Sequence, residues 1–487
     1  MRRKEYFKIR RWTRKYNRKT GVFNIKIEFE TAADITERTI AVADAFGLGI
    51  DETRKFKICD VELAIGSRDV VYITGDSGSG KSVLLKAMKK DLIDAGEKVI
   101  DMNNVEVDSD KPIIETVGET FDEALELLSR VGLNDAFLFL RKYSQLSDGQ
   151  KYRYRLAKLM ESDAQWWLMD EFCSMLDRDT AKIVAYNVQK QARRMGKAVI
   201  AATTHTDLFE DLAPNVHIHK RFGDEIEVKY YRDNRAEECS LIREMRIEEG
   251  SKEDYKKLSV FHYRSTRAPA TLKIFKLMRK DEVVGVIVYS YPPPTVKGRK
   301  EALGKVLPIR EANEKLATIT RVVIHPKYRS IGLGVKLVRD TLPLVGRPYI
   351  EAIAVMAKYN PFFEKAGMRK VAVRKTGKSI KEAIEDLEKI GFKRYLLTSV
   401  KANRKVLEGL SEGEKEKVKQ ILLGVKQTHY RRLMATGNIY PKYREFRDWL
   451  SRIDNQRLAK ALARLAVLAQ EKVYLIFSST QQTQRKE

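Results

Sequence analysis

Residues 75–82 read Gly-Asp-Ser-Gly-Ser-Gly-Lys-Ser, directly after the apolar run Asp69-Val-Val-Tyr-Ile-Thr74. This G-x-x-x-x-G-K-S pattern forces a strand, a glycine-rich turn and a helix (Ser82–Leu92) into one order, and so predicts an α/β fold. Its chemistry is equally constrained. Glycines at 75, 78 and 80 let backbone N–H groups close on phosphate oxygens, Lys81 adds charge, and the Ser82 hydroxyl ligates Mg2+. Gly75, Asp76, Ser77, Gly78, Ser79, Gly80, Lys81 and Ser82 are therefore the expected ATP contacts.

Composition bounds the setting. A chain of 487 residues should form about two to four domains. It is 43% hydrophobic, with mean hydropathy −0.42 and no apolar run near the roughly 20 residues of a membrane span. There is no signal-like apolar segment, and the three cysteines (Cys59, Cys173, Cys239) are scattered, so a reduced, cytoplasmic setting without a membrane partner is expected. His217 and His219 flank Ile218, but no Cys or carboxylate cluster accompanies them, which favours a strand end over a metal site.

The net charge of +26 points to polyanions, because neutralising phosphates releases counterions. Within residues 1–19, Arg2, Arg3, Lys4, Lys8, Arg10, Arg11, Arg14, Lys15, Arg18 and Lys19 face a single acid, Glu5. Tyr6, Phe7, Trp12 and Tyr16 are interleaved with them. Such an arm can grip phosphates and stack on bases; a solubilising tail or a lysine-rich thermophile surface is the alternative.

Beyond the phosphate loop come Leu146-Ser-Asp-Gly-Gln150, a basic helical stretch Lys151–Met160, and Trp166-Trp-Leu-Met-Asp-Glu171. Ser174-Met-Leu-Asp177 and Ala201-Ala-Thr-Thr-His205 follow. Five motifs in this order resemble the ABC ATPase superfamily: Walker A, signature, Walker B, D-loop and switch histidine. The resemblance implies that Asp170 holds Mg2+, directly or through water, beside Ser82, that Glu171 polarises the attacking water and that His205 contacts the γ-phosphate. It also implies a homodimer, in which Ser147, Gly149 and Gln150 of one copy close over the ATP of the other. Soluble members of that superfamily work on nucleic acid or ribosomes, in agreement with the charge. Two features depart from the pattern. Asp148 stands where the signature L-S-G-G-Q has a glycine, and either slows turnover or is accommodated by Lys151, Arg153 and Arg155; Val105–Glu115 offers no Q-loop glutamine.

A second glycine motif, Arg329-Ser-Ile-Gly-Leu-Gly334, follows the apolar strand Thr318-Ile-Thr-Arg-Val-Val-Ile324. Before it lie a strand Glu225–Tyr231, a helix Ala236–Glu249 and a hairpin Thr271–Ser290; after it, a helix Gly334–Leu342, a strand Tyr349–Met356 and Asn360-Pro-Phe-Phe-Glu-Lys-Ala-Gly-Met368. This set resembles the GNAT acyltransferase fold. The resemblance implies an acetyl-CoA site at Val322, Ile324, Arg329, Ser330, Ile331, Gly332, Leu333 and Gly334, with the pyrophosphate on the helix N-terminus. A Gly-rich turn without a ligand is the plainer reading. Phe363 occupies the position where many GNATs carry a catalytic tyrosine, and Tyr359, one turn earlier, is the candidate substitute. Leu258-Ser-Val-Phe-His-Tyr-Arg264 is similar to a segment of the Mom-type GNAT branch, whose members modify adenine in DNA. His262 and Tyr263 then either line a substrate base pocket or pack a helix-to-strand junction.

The expected organisation is a basic arm (1–19), an ABC-type ATPase domain (20–222), a GNAT α/β domain (223–375) and a mainly helical basic extension (376–487). In the extension, helices are expected at Ser379–Ile390, from the capping box Ser411-Glu-Gly-Glu414 to Leu423, and at Asp454–Gln470, with late strands at Phe392–Ser399 and Val473–Phe477. Its arginines and tyrosines suit either a second nucleic-acid surface or a solvated helical cap. The expected activity is ATP hydrolysis coupled to acyl transfer onto nucleic acid, with protein N-acetylation or a non-catalytic nucleic-acid clamp as alternatives.

Overall fold

The computed structural model describes residues 7–31, 35–49, 54–262, 270–294, 296, 298–355, 357, 360–374, 376–438 and 440–479. The chain divides into two compact units, residues 1–289 with 321–344 and residues 290–320 with 345–487.

The first unit opens with an antiparallel sheet of β1 (Phe7–Asn17), β2 (Val22–Thr31) and β3 (Lys55–Ala64), in that order. Most of the stretch read as an arm is thus an edge strand. Its register sets Trp12 opposite Ile27 and Tyr16 opposite Phe23. Trp12 and Tyr16 pack on a core of Phe23, Ile25, Ile27, Leu84, Met88 and Trp166, so two side chains on one face of this basic segment have an apolar task. The exposed Lys15 on this strand also discourages pairing with another sheet edge.

The second sheet comprises β4 (Val70–Thr74), β5 (Val99–Asp101), β6 (Trp166–Met169), β7 (Ala198–Ala202), β8 (Val216–Lys220) and β9 (Ile226–Tyr230), ordered β5-β6-β7-β4-β8-β9. Only β9 runs antiparallel to its neighbour. Strands β4, β6 and β7 are buried at every position, which explains why they read as unbroken apolar runs rather than alternating ones. The helix Lys81–Asp94 buries Leu84, Leu85, Met88 and Leu92 in the core shared by both sheets. Because β7 lies between β4 and β6, the phosphate loop after β4 and the acids after β6 emerge at the same, carboxyl, edge.

The unit continues with β10 (Met245–Glu249), β11 (Thr271–Arg279), β12 (Glu282–Ser290) and the second half of β13 (Leu316–Ile324), then the helix Leu333–Thr341. The expected helix 236–249 is a 3-10 turn, Ser240–Glu244, leading into β10. Antiparallel pairing of Met245–Glu249 with Phe275–Arg279 overrides the helix-favouring charged composition.

In the second unit, the first half of β13 pairs in parallel with β14 (Tyr349–Ala354), from Leu316↔Tyr349 to Ile319↔Ala352. Strands β15 (Arg369–Arg374) and β16 (Lys472–Ser478) complete the sheet, with β16 inserted antiparallel between β14 and β15. Val473–Phe477 is a strand as expected, whereas Phe392–Ser399 contains a 3-10 turn at Arg394–Leu396. Beneath the sheet, Glu351 is fully buried and accepts from Arg299 Nη2 (2.7 Å), Arg299 Nε (3.0 Å), Thr318 Oγ1 (2.8 Å) and Tyr474 Oη (2.9 Å). A Cβ at Gly298, where φ is +100°, would lie 2.9 Å from the Tyr474 ring, so glycine lets the aromatic seat over the pair. The helices 378–389, 400–409, 412–423, 443–452 and 455–468 share a core that includes Leu387, Leu407, Leu422, Phe446 and Leu462. Ser411 and Glu414 form the reciprocal cap read from the sequence.

Candidate functional site

Thr74 ends β4, and the chain turns at Gly75 with φ +144°. A Cβ there would stand 2.0 Å from the Lys220 carbonyl oxygen, so only glycine fits. Gly80, at φ +100°, caps the helix Lys81–Asp94 with Ile58 Cγ2 2.8 Å from where a Cβ would be. Gly78 is open, its one neighbour being Phe222 Cε1 at 3.9 Å. Lys81 Nζ crosses the turn and donates to the carbonyls of Gly75 (2.8 Å) and Asp76 (2.7 Å). Burial lowers its pKa, with Asp76 and Asp170 opposing that fall. The Ser79 hydroxyl is buried here without a hydrogen-bond partner among the described residues, while Asp76, Ser77 and Gly78 are exposed. A buried ammonium inside a glycine-rich turn at a helix N-terminus is suited to a polyphosphate.

At the foot of this loop, Ser82 Oγ donates to Asp170 Oδ1 at 3.0 Å. Two oxygens this close, a hydroxyl and a carboxylate, fit the hard-oxygen donors that would hold a Mg2+ ion. No group of three or more His, Cys, Asp or Glu side chains suited to a metal exists among the described residues, and phosphate oxygens and water would supply the remaining ligands. Asp170 is held in place: its Oδ1 accepts from the Glu171 amide (3.1 Å) and its carbonyl from Asn103 Nδ2 (3.2 Å). Glu171 takes a left-handed φ of +53°, and the buried Phe172 secures the turn through its amide to the Ala202 carbonyl (2.8 Å). The Glu171 side chain is exposed. His205 is half-buried; its carbonyl accepts from the Tyr72 hydroxyl and its amide donates to Thr203 Oγ1 (3.3 Å). His217 Nε2 and His219 Nδ1 both hydrogen-bond to Thr74 Oγ1, at 2.8 and 3.0 Å, as neighbours across β4 and β8.

Asn103 and Lys220 were not evident from the sequence. Asn103 lies just past β5, beside the acid-bearing strand, so its position at a strand end is the signal that points to it. Lys220 is wholly buried, with its ammonium donating to the carbonyls of Arg221 (2.6 Å) and Gly223 (2.5 Å) while its own carbonyl excludes any side chain from Gly75.

Ser147 caps the helix Asp148–Glu161, and Gln150 Oε1 accepts the Ser147 amide at 3.1 Å in a reciprocal box. Ser147 and Asp148 are exposed, and Gly149 fits against Thr180 Cγ2. Of the three cations expected to accommodate Asp148, only Lys151 approaches it, at 3.7 Å. Arg155 Nε donates to Tyr143 Oη (3.0 Å), and the buried Arg153 donates to the carbonyls of Pro326 (3.1 Å) and Lys327 (2.7 Å). Burial, then Arg329, lowers the Arg153 pKa to about 10.

Residues 58–174 match the family model described as ABC transporter. They form an ABC-type ATPase domain. Methionine import ATP-binding protein MetN 1 of Oceanobacillus iheyensis is 27% identical over 199 residues, covering 33% of this chain and 58% of its own length. Zinc import ATP-binding protein ZnuC of Ruegeria pomeroyi is 28% identical over 176 residues, covering 33% of this chain and 67% of its own. The chain thus spans little more than half of the first relative. A solved ATP-binding cassette, MJ0796 bound to ADP and Pi, aligns at 19% identity over 37% of this chain and 93% of that one, with a TM-score of 0.31. No helix among the described residues is long and apolar enough to cross a membrane.

The second glycine motif lies against this ATPase domain within the first unit. Arg329 was expected to add charge to a CoA cradle; instead its Nη1 is 3.4 Å from Asp135 Oδ2 and its Nε donates to the Ile324 carbonyl (3.1 Å). Burial lowers its pKa despite Asp135. Ser330 Oγ accepts from Asn187 Nδ2 at 2.7 Å and sits where a Cβ on Gly132 would be 2.9 Å away. Ile331 and Leu333 are buried, Val322 and Ile324 half-buried. Gly332, at φ +94° with open space around it, caps the helix that begins Leu333-Gly334. His262 is half-buried, its amide bonded to the Ser259 carbonyl (3.1 Å). Tyr263 and Tyr359 lie outside the described residues.

Proposed function

We propose that this chain hydrolyses ATP in its ABC-type domain, as a homodimer, to gate a GNAT-type acyltransferase that moves acetyl from acetyl-CoA to a nucleic acid. The contact that carries the ATPase reading is Ser82 Oγ to Asp170 Oδ1, with Lys81 inside the amide turn above it. Lys81 and the loop amides hold the β- and γ-phosphates. Ser82 and Asp170 would hold Mg2+, which neutralises charge on the phosphate oxygens when bound. Glu171, on its constrained turn, orients the attacking water, and His205 meets the γ-phosphate from the end of β7. The Ser147–Gln150 turn, exposed at Ser147 and Asp148, offers a second copy's nucleotide the N-terminus of a helix.

Support for the acyltransferase is the strand–turn–helix at Leu316–Thr341, with Gly332 in an open left-handed turn that leaves helix N-terminal amides accessible to a pyrophosphate. Support for a nucleic-acid acceptor is the net charge of +26. The engagement of Arg329 with Asp135 favours a second reading, a nucleic-acid clamp in which the 329–334 loop is a joint rather than a CoA cradle. Calorimetry with CoA and with ATP separates the two. The wild type should bind both, and Gly334→Asp should lose CoA alone, because its carboxylate collides with and repels the pyrophosphate. Wild-type protein that ignores CoA leaves the clamp. Transfer of radiolabelled acetyl groups to RNA, DNA or protein fractions then identifies the acceptor.

A further inference from the structure

A cavity of about 820 Å3 lies between β1 and the helix Lys81–Asp94, on turns of that helix beyond its phosphate loop. On one side, the alternate residues Trp12, Arg14 and Tyr16 of β1 line it. On the other, Lys86, Lys90 and Asp94 recur every four residues along one helix face, with Asp91 beside them. Arg14 is already committed, pairing with Asp91 Oδ1 and Asp94 Oδ2, both at 2.5 Å.

Two polar atoms in this wall have no hydrogen-bond partner among the described residues although both are buried: the Trp12 indole N–H, a donor, and Asp91 Oδ2, an acceptor on a side chain only 3% exposed. Leaving such groups unmatched is costly, so a ligand that brings one acceptor and one donor is favoured there. Lys15, Lys86 and Lys90 are exposed at the cavity and form no ion pair among the described residues, which adds a demand for anionic charge. An aromatic face, a donor–acceptor edge and adjacent cations together describe a nucleobase on its sugar-phosphate. A lipid headgroup brings phosphate but no flat edge, and a duplex has already paired its base edges.

Resting on the nucleic-acid reading above, we infer that this cavity receives an unpaired nucleotide of a single-stranded nucleic acid. The base meets Trp12 and Asp91 edge-on, its amino group donating to Asp91 Oδ2 and a ring acceptor meeting the indole N–H. The flanking phosphates fall to Lys15, Lys86 and Lys90. Strand and ATP would then load onto the same helix at different turns.

Fluorescence anisotropy of the full chain with labelled single-stranded RNA and DNA of about 12 nucleotides tests this. The double variant Lys86→Ala/Lys90→Ala should bind at least ~10-fold more weakly, and its log affinity against log salt should be shallower by about 1.4, at roughly 0.7 per lost contact. Trp12→Leu should weaken binding by about 10-fold, a loss consistent with one buried hydrogen bond. Both variants should retain wild-type ATP affinity, which shows that the helix still folds. Unchanged strand affinity and slope in the lysine variant would overturn the site while leaving the nucleic-acid reading intact. Equal binding of the matching duplex, or of AMP alone, would overturn the unpaired-strand assignment. Wild-type protein that binds no oligonucleotide at low salt would remove the nucleic-acid reading itself.

Discussion

Lys327 Nζ lies 2.8 Å from Asp177 Oδ1 and 3.0 Å from Asp179 Oδ2. Asp177 caps the helix Arg178–Met195 immediately after the Walker B turn, and Arg279 grips Asp179 with two guanidinium nitrogens (2.6 and 2.9 Å). The turn that carries the second glycine motif is therefore tied by charge to the segment that follows Glu171.

That network has a pH signature. Burial alone would raise the Asp179 pKa, but hydrogen bonds from Arg279 and Lys327 outweigh it and bring the value down to about 2. A depressed folded-state value contributes stability that is present above the unfolded carboxylate pKa of about 3.9 and is lost as pH falls through the folded value. Asp179→Asn should cost roughly 1 kcal/mol at neutral pH, a figure kept small because the carboxylate is partly solvated. In urea unfolding, the gap between variant and wild type should narrow from about pH 4 toward pH 2; a gap independent of pH would show that the charge is not responsible.

Glu171→Gln should retain ATP binding through Lys81 and Ser82 but cut turnover by at least ~100-fold, the usual scale for losing a general base. Phosphate release and nucleotide binding, measured side by side, check it. Hydrolysis at the wild-type rate would remove Glu171 from the mechanism.

Among the loop glycines, Gly75→Ala and Gly78→Ala should differ sharply. Both residues have positive φ, but only at Gly75 does the added carbon meet backbone, at 2.0 Å from the Lys220 carbonyl. Left-handed strain alone costs about 1–2 kcal/mol, so Gly78→Ala should melt slightly below the wild type and Gly75→Ala far lower. Equal melting temperatures would place the Lys220 segment elsewhere.

Asp148 sits exposed at the first position of its helix, where a partner's γ-phosphate would dock in a two-copy sandwich. Asp148→Gly removes a like charge from that encounter and should raise steady-state ATPase several-fold, with the gain shrinking as salt screens it. An unchanged rate at all salt concentrations would argue against a signature-to-nucleotide contact.

The phosphate loop and the acids after β6 were legible because a nucleotide site needs fixed residue types at short spacing, and because buried parallel strands such as Val70–Thr74 are apolar throughout. Strand β1 was harder to read: its basic side chains, Arg14 among them, mask the inward face that carries Trp12 and Tyr16. Asn103 was missed because its role is one amide bonded to a backbone carbonyl, which imposes no pattern. The fate of Arg329 could not be read locally, since its partner Asp135 is 194 residues away in the chain. Segment 245–249 misled because strand pairing, supplied by Phe275–Arg279, decided a conformation that its own residues leave open.

The insertion of β16 between β14 and β15 gives biosynthesis a fixed timetable. A ribosome making this protein delivers β14 and β15 about a hundred codons before residues 472–478 emerge to join them. Until Tyr474 arrives, Glu351 lacks one of its four hydrogen bonds and two strand edges stand open. The second unit therefore closes late, and a nascent chain held just short of residue 472 is the form most in need of a chaperone.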